Sequence, residues 1–225
     1  KYGVVYNDQG RARISHGWGD GISYHVGGWN DPDGQARRSL TSNAFWVLSG
    51  LYDRDPSLYN VIKNDILALD SPYGLKTFDP HFEPDAQGVG RIPKLPAGTA
   101  ENGAPYIHAS MFGIMALFRM GCAEDAWREL FRSLPMTHDA VSVSPYVMPN
   151  SYGCNPEKNI DGQSMMDWQT GSSNVALKTL TRYVAGVSPE YDGVWVQPAA
   201  YCLFGGFTAE IPVKGAVLKL RYRRT

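Results

Sequence analysis

Asp167-Trp168-Gln169-Thr170-Gly171-Ser172-Ser173-Asn174 sets a carboxylate, an indole, hydroxyls and a glycine directly before an apolar-periodic segment that predicts a helix from Val175 to Gly186. The first turn of a helix carries backbone N–H groups with no intrahelical partner, and its dipole is positive there, so an anion is favoured. Thr170, Ser172 and Ser173 add hydroxyl donors, and Gly171 lets an anion come close to the backbone. Asp167 precedes the turn, with Trp168 as a flat surface beside it. Together these groups suit phosphate and sugar chemistry. The same residues also read as a Ser/Thr helix cap over a buried tryptophan, and both readings stay open on this turn alone.

His108 lies at the start of a second apolar helix, with Met111, Phe112 and Met115 at helical spacing from it. A histidine so placed is either a satisfied core residue or, near a helix N-terminus, a donor to an anion. Glu101 and Asn102 stand just before it at the loop–helix junction. Trp29-Asn30-Asp31 puts a carboxylate beside an aromatic, yet Asn-Asp-Pro-Asp-Gly is also a strong turn signature, which we favour. His16 and His25 lack ligand-like spacing. There is no GxSxG nucleophile elbow and no phosphate-binding P-loop. Cys122, Cys154 and Cys202 are widely spaced and form no zinc pattern, so buried free thiols in a reducing compartment are expected.

These residues need elements to hold them. The 225-residue chain is 43 % hydrophobic and 12 % aromatic, enough for a sizeable core. A net charge of −1 without a basic run argues against nucleic-acid or membrane-surface binding. Helices are predicted over 42–50, from Asp55-Pro56 to about Leu69, over 105–120 and over 123–134. Pro- and Gly-rich loops cover 70–104 and 135–169, and loops this long are usually functional. From about residue 193 the pattern changes to period two, as in Gly193-Val-Trp-Val-Gln, Phe207-Thr-Ala-Glu-Ile and Gly215-Ala-Val-Leu-Lys-Leu-Arg-Tyr. The fold class expected is mainly α: helix pairs in a toroid whose long loops meet at one end, then a β-rich segment. With no initiator Met and a strand-like last stretch, the chain reads as part of a longer polypeptide.

Taken in order, six motifs resemble the glycoside phosphorylases of glycoside hydrolase family 94, the cellobiose and chitobiose phosphorylase group, and related β-glucan phosphorylases. Phe45-Trp-Val-Leu-Ser-Gly50 is similar to "SWAVLSG", and Leu69-Asp-Ser-Pro-Tyr-Gly-Leu75 to "LDTPYGL". Glu101-Asn-Gly-Ala-Pro-Tyr-Ile-His108 is similar to "ENGGxFxH", and Ser144-Pro-Tyr-Val147 to "EPYV". Trp168-Gln-Thr-Gly-Ser172 is similar to "WxTGxA", and Pro189-Glu-Tyr-Asp-Gly-Val194 to "PxYDGL". The resemblance covers about residues 20–215.

It implies the C-terminal part of an (α/α)6 barrel over residues 1–192 and the start of a β-rich domain over 193–225. It also implies inverting phosphorolysis of a β-glycoside to an α-sugar 1-phosphate, with phosphate as substrate and no metal or organic cofactor. By the resemblance, His108, Thr170 and Gly171 bind phosphate, Glu101 holds the donor sugar, and Asn150 stands where the family often has a substrate-binding Gln. Asp167 then takes a structural or sugar-side role. The expected partners are a β-glucan oligosaccharide, phosphate and the upstream part of the same polypeptide. A homodimer and a cytoplasmic location are compatible with this. Three departures stand out. Trp29-Asn30-Asp31 is too close to His108 to be the family's acid motif, which places the general acid and a phosphate-binding arginine upstream of Lys1. Ala100 stands where cellobiose phosphorylases commonly carry Lys, and Ser173-Asn174 replaces a small residue and Trp. The last two lean toward longer β-glucans, with β-1,3 linkage among them. The rivals are an inverting hydrolase on the same toroid and a non-catalytic carbohydrate-binding module.

Overall fold

Helix α1 (Leu40–Leu48) starts where Ser39, in extended conformation, accepts a hydrogen bond from the Ser42 N–H at 3.4 Å. A hydroxyl at the cap satisfies a donor that the helix leaves free. The start lies two residues before the sequence-based expectation. Leu40, Ala44 and Val47 recur on one face and are fully buried. These coordinates come from a computed structural model that describes residue 35 and residues 37–223, apart from 55, 139 and 169. Trp29-Asn30-Asp31, His16, His25 and the strand expected at Tyr2–Tyr6 lie outside the described residues.

Pro56 opens a 3-10 turn, Pro56–Leu58, and α2 (Tyr59–Leu67) follows with Ile62 and Ile66 buried. The longest helix described is α3 (Ile107–Arg119), and it is buried nearly all round. A methyl group at Gly113 would stand 2.7 Å from both Leu40 Cδ1 and Leu75 Cδ1, so the glycine makes room for these two leucines against α3. Helix α4 (Ala123–Ser133) is amphipathic and packs on α3 through Trp127 and Leu130. The Trp127 Nε1–H donates to the Tyr201 carbonyl at 3.0 Å, tying the segment after residue 196 to the helices.

The helix expected as far as Gly186 is two pieces: α5 (Ser172–Lys178) and a wider π-turn, Thr179–Val184. The Thr179 and Thr181 hydroxyls each donate to the carbonyl four residues back, at 2.9 Å, a bond that competes with the regular helix ladder.

Strands are more numerous than a mainly α reading allows, so the described fold is mixed. Just before α1, β1 (Arg38–Ser39) pairs antiparallel with β2 (Phe78–Asp79) in the first expected loop, and within the second β3 (Ser151–Tyr152) pairs with β4 (Ser164–Met165). Two-residue strands are too short for a period-two signal. Beyond α5, β5 (Val187–Pro189) pairs with β6 (Val194–Val196), and β7 (Gly206–Val213) with β8 (Ala216–Arg223). The last hairpin turns at Lys214-Gly215, both at positive φ, as a two-residue turn matched to strand twist requires. Phe207 and Tyr222 face each other in register, with stacked rings 5.3 Å apart. Among the described residues, no helix is long and apolar enough to cross a membrane.

Candidate active site

The segment before α3 is a frame built on Asn102. Its side chain is fully buried; Oδ1 accepts from the Phe82 N–H at 2.8 Å, and Nδ2 donates to the carbonyls of Phe82 and Leu95 at 3.0 and 2.9 Å. A buried carboxamide satisfied on three sides costs little to bury and fixes the chain around it. Gly98, at φ +72, packs so tightly on the segment at Cys154 that a methyl group there would lie 2.3 Å from the Cys154 carbonyl oxygen. Ala100, at φ +44, completes the turn. Glu101 rides on this frame, half-buried, with its carboxylate in an ion pair with the exposed Arg91. Nothing in the sequence around Arg91 signalled that pairing.

His108 is the second residue of α3. Its ring lies 5.2 Å from Phe112, which lies 5.0 Å from Phe45. The ring is half-buried rather than enclosed in the core. A methyl at Gly171 would stand 3.8 Å from His108 Cε1 and 3.9 Å from Nδ1, so an edge of the imidazole faces the backbone of the Thr170-Gly171 turn.

That turn differs in detail from a Ser/Thr cap. Gly171 occupies the cap position of α5 without a side-chain cap bond, and the Ser172 N–H is taken by Thr170 Oγ1 at 3.1 Å. The Thr170 hydroxyl also lies 2.7 Å from Ser172 Oγ. Accepting from Ser172 leaves the Thr170 proton able to point outward as a donor. Trp168 is not buried but 79 % exposed. Asp167 is anchored from behind, where Ser164 Oγ donates to Oδ2 at 3.2 Å. Its Oδ1 is buried beside the fully buried Tyr152. Burial pushes the Tyr152 hydroxyl up to about 12, with the Asp167 charge adding to the shift, so it stays protonated.

Asn150 is 7 % exposed; its carbonyl caps the Ile107 N–H at 2.9 Å, and its Nδ2 donates to the Tyr106 hydroxyl at 3.1 Å. Its Oδ1 is buried with no protein partner. Tyr106 escaped sequence reasoning, yet it joins Asn150 to the start of α3.

The structure therefore brings His108 against Gly171, with Thr170 in the same turn and Asn150 bound to the first turn of α3. Glu101 is held on its own frame six residues before that helix begins, engaged by Arg91. The start of α3, a histidine edge, the Thr170 hydroxyl and a glycine backbone can together hold an oxyanion. A sequence model for the Glycosyl hydrolase 94 superfamily, catalytic domain, matches residues 22–186. The chain belongs to that superfamily. Among its glycosyl hydrolase 94 relatives, the solabiose phosphorylase of Paenibacillus borealis is 29 % identical over 203 residues, covering 88 % of this chain and 24 % of the relative. The N,N'-diacetylchitobiose phosphorylase of Vibrio proteolyticus is 24 % identical over 220 residues, covering 92 % and 27 %. The cyclic beta-(1,2)-glucan synthase NdvB of Rhizobium meliloti is 26 % identical over 225 residues, 92 % of this chain and 8 % of that protein. The chain thus spans about a quarter of the length of these phosphorylase relatives.

Proposed function

We propose that this chain supplies the phosphate pocket and part of the sugar site of an inverting β-glycoside phosphorylase. Its helices would form the C-terminal part of an (α/α)6 barrel as far as residue 192, with the β-rich part from 193. The observation that carries the proposal is the His108 edge standing beside the Gly171 backbone at the junction of two helices. In this reading His108, the Thr170 hydroxyl and the Gly171 backbone hold phosphate. Glu101 and Asn150 hold the sugar. Phosphate attacks C1 from the face opposite the leaving oxygen, the C1–O bond breaks, and a carboxylic acid from upstream of this chain protonates that oxygen. The products are an α-sugar 1-phosphate and the shortened glycoside. Because phosphate is the nucleophile, no second carboxylate is needed to activate water. The substrate class is a β-glucan or β-disaccharide, and the replacements at Ala100 and Ser173-Asn174 lean toward longer β-glucans, β-1,3-linked ones among them.

The test is product analysis on the full-length protein with a β-glucosyl disaccharide and inorganic phosphate. Sugar 1-phosphate is the expected product; free sugar alone overturns the proposal in favour of hydrolysis. His108→Ala is expected to raise the KM for phosphate about 10–100-fold, the worth of one charge-assisted hydrogen bond. An unchanged phosphate KM removes His108 from the pocket.

A further inference from the structure

Five non-glycine residues among those described have a positive φ, and Trp168, at +71°, is the one aromatic among them. A bulky residue in the left-handed region costs on the order of 1–3 kcal/mol, and such strain persists only where the surroundings impose it. The surroundings here are visible. Asp167 is fixed by Ser164, and Thr170 is locked onto Ser172. Trp168, next to the first anchor, carries its indole 79 % exposed. Among the described residues the tryptophan thus combines a left-handed backbone with an exposed indole. A small residue would fill the same turn at lower cost.

We infer that Trp168 is a stacking platform for a sugar ring bound next to the phosphate pocket. A pyranose presents a face of C–H groups to an aromatic plane while its hydroxyls point sideways to polar groups, and an indole offers the largest such plane. Trp168 stands two residues before Thr170 and three before Gly171, so a ring on its indole and an anion at that turn share one short loop. Glu101 and Asn150 can address the hydroxyl edges of a ring but offer it no flat face. Trp168 supplies that face, which makes it a determinant of sugar affinity rather than of phosphate affinity. The inference builds on the phosphorylase reading for the ligand at Thr170 and Gly171, but binding of sugar to the indole is measurable without turnover.

The discriminating variant is Trp168→Asn in the full-length protein, because Asn tolerates the left-handed region and keeps the turn. Calorimetric titration with laminaribiose and with cellobiose reads the sugar site, and the thermal midpoint reads the fold. Stacking predicts that affinity for the better-bound disaccharide falls at least about fivefold. It also predicts that the phosphate KM stays within about twofold and that the midpoint stays equal or rises as strain is relieved. A smaller loss of sugar affinity overturns the inference; if the midpoint falls as well, the indole is a packing surface for the rest of the polypeptide. A wild-type protein that binds neither disaccharide also overturns it. If disaccharide binds through Trp168 but only free sugar is released, the stacking inference stands and the phosphorylase reading falls.

Discussion

Gly171 has φ −84°, a conformation open to any residue, and a methyl there would meet His108 at ordinary contact distance. Gly171→Ala is therefore expected to fold normally, with a stability change within about 0.5 kcal/mol. Its methyl would occupy the space where an oxyanion approaches the backbone. The phosphate KM is expected to rise about tenfold or more while the sugar KM holds, as measured by initial rates at varied phosphate. An unchanged phosphate KM would show that the anion does not sit on this backbone. The placement of His108 and Gly171 at helix starts was legible in the sequence from the apolar period that follows each. Asn150 was legible by position only. The structure shows its amide donating to Tyr106, a link between residues 44 apart that no local pattern encodes.

At the scale of the element, the turn through Gly98, Ala100 and Asn102 holds Glu101 in place. Gly98→Ala would set a methyl 2.3 Å from the Cys154 carbonyl oxygen at a φ of +72°. Steric clash and backbone strain add, so a loss of about 3 kcal/mol or more is expected, read as a lower thermal midpoint with reduced soluble yield. The helices over 40–48, 107–119 and 123–133 matched their hydrophobic period to within about two residues. The β1–β2 and β3–β4 pairs were hidden, since two helices separate the first pair, an irregular segment the second, and two-residue strands carry no alternation. The π-turn at 179–184 was hidden too, because its apolar spacing continues that of α5.

Across the whole molecule, two buried carboxyls couple the fold to pH. Burial, and then the neighbouring Asp70 carboxylate, push Glu129 from 4.5 up to about 7, and burial pushes Asp65 from 3.8 to about 6 against the pull of Arg38. Between the ordinary and the raised values the folded protein holds protons that the unfolded chain has released. Stability from these sites is thus fully present below about pH 4 and is lost as pH rises through 6 and 7. The thermal midpoint is expected to drop between pH 5 and pH 8, and Glu129→Gln, which can still donate to Asp70, is expected to flatten that drop. An equally steep profile in the variant would place the proton elsewhere. The frame around Asn102 has a different kind of consequence. All three of its side-chain bonds go to main-chain atoms of Phe82 and Leu95, and none to the side chains at 100, 106 or 150. Replacing the side chain at 106 or 150 therefore breaks none of the bonds that fix this turn, and the segment that carries Glu101 is insulated from change at those two positions.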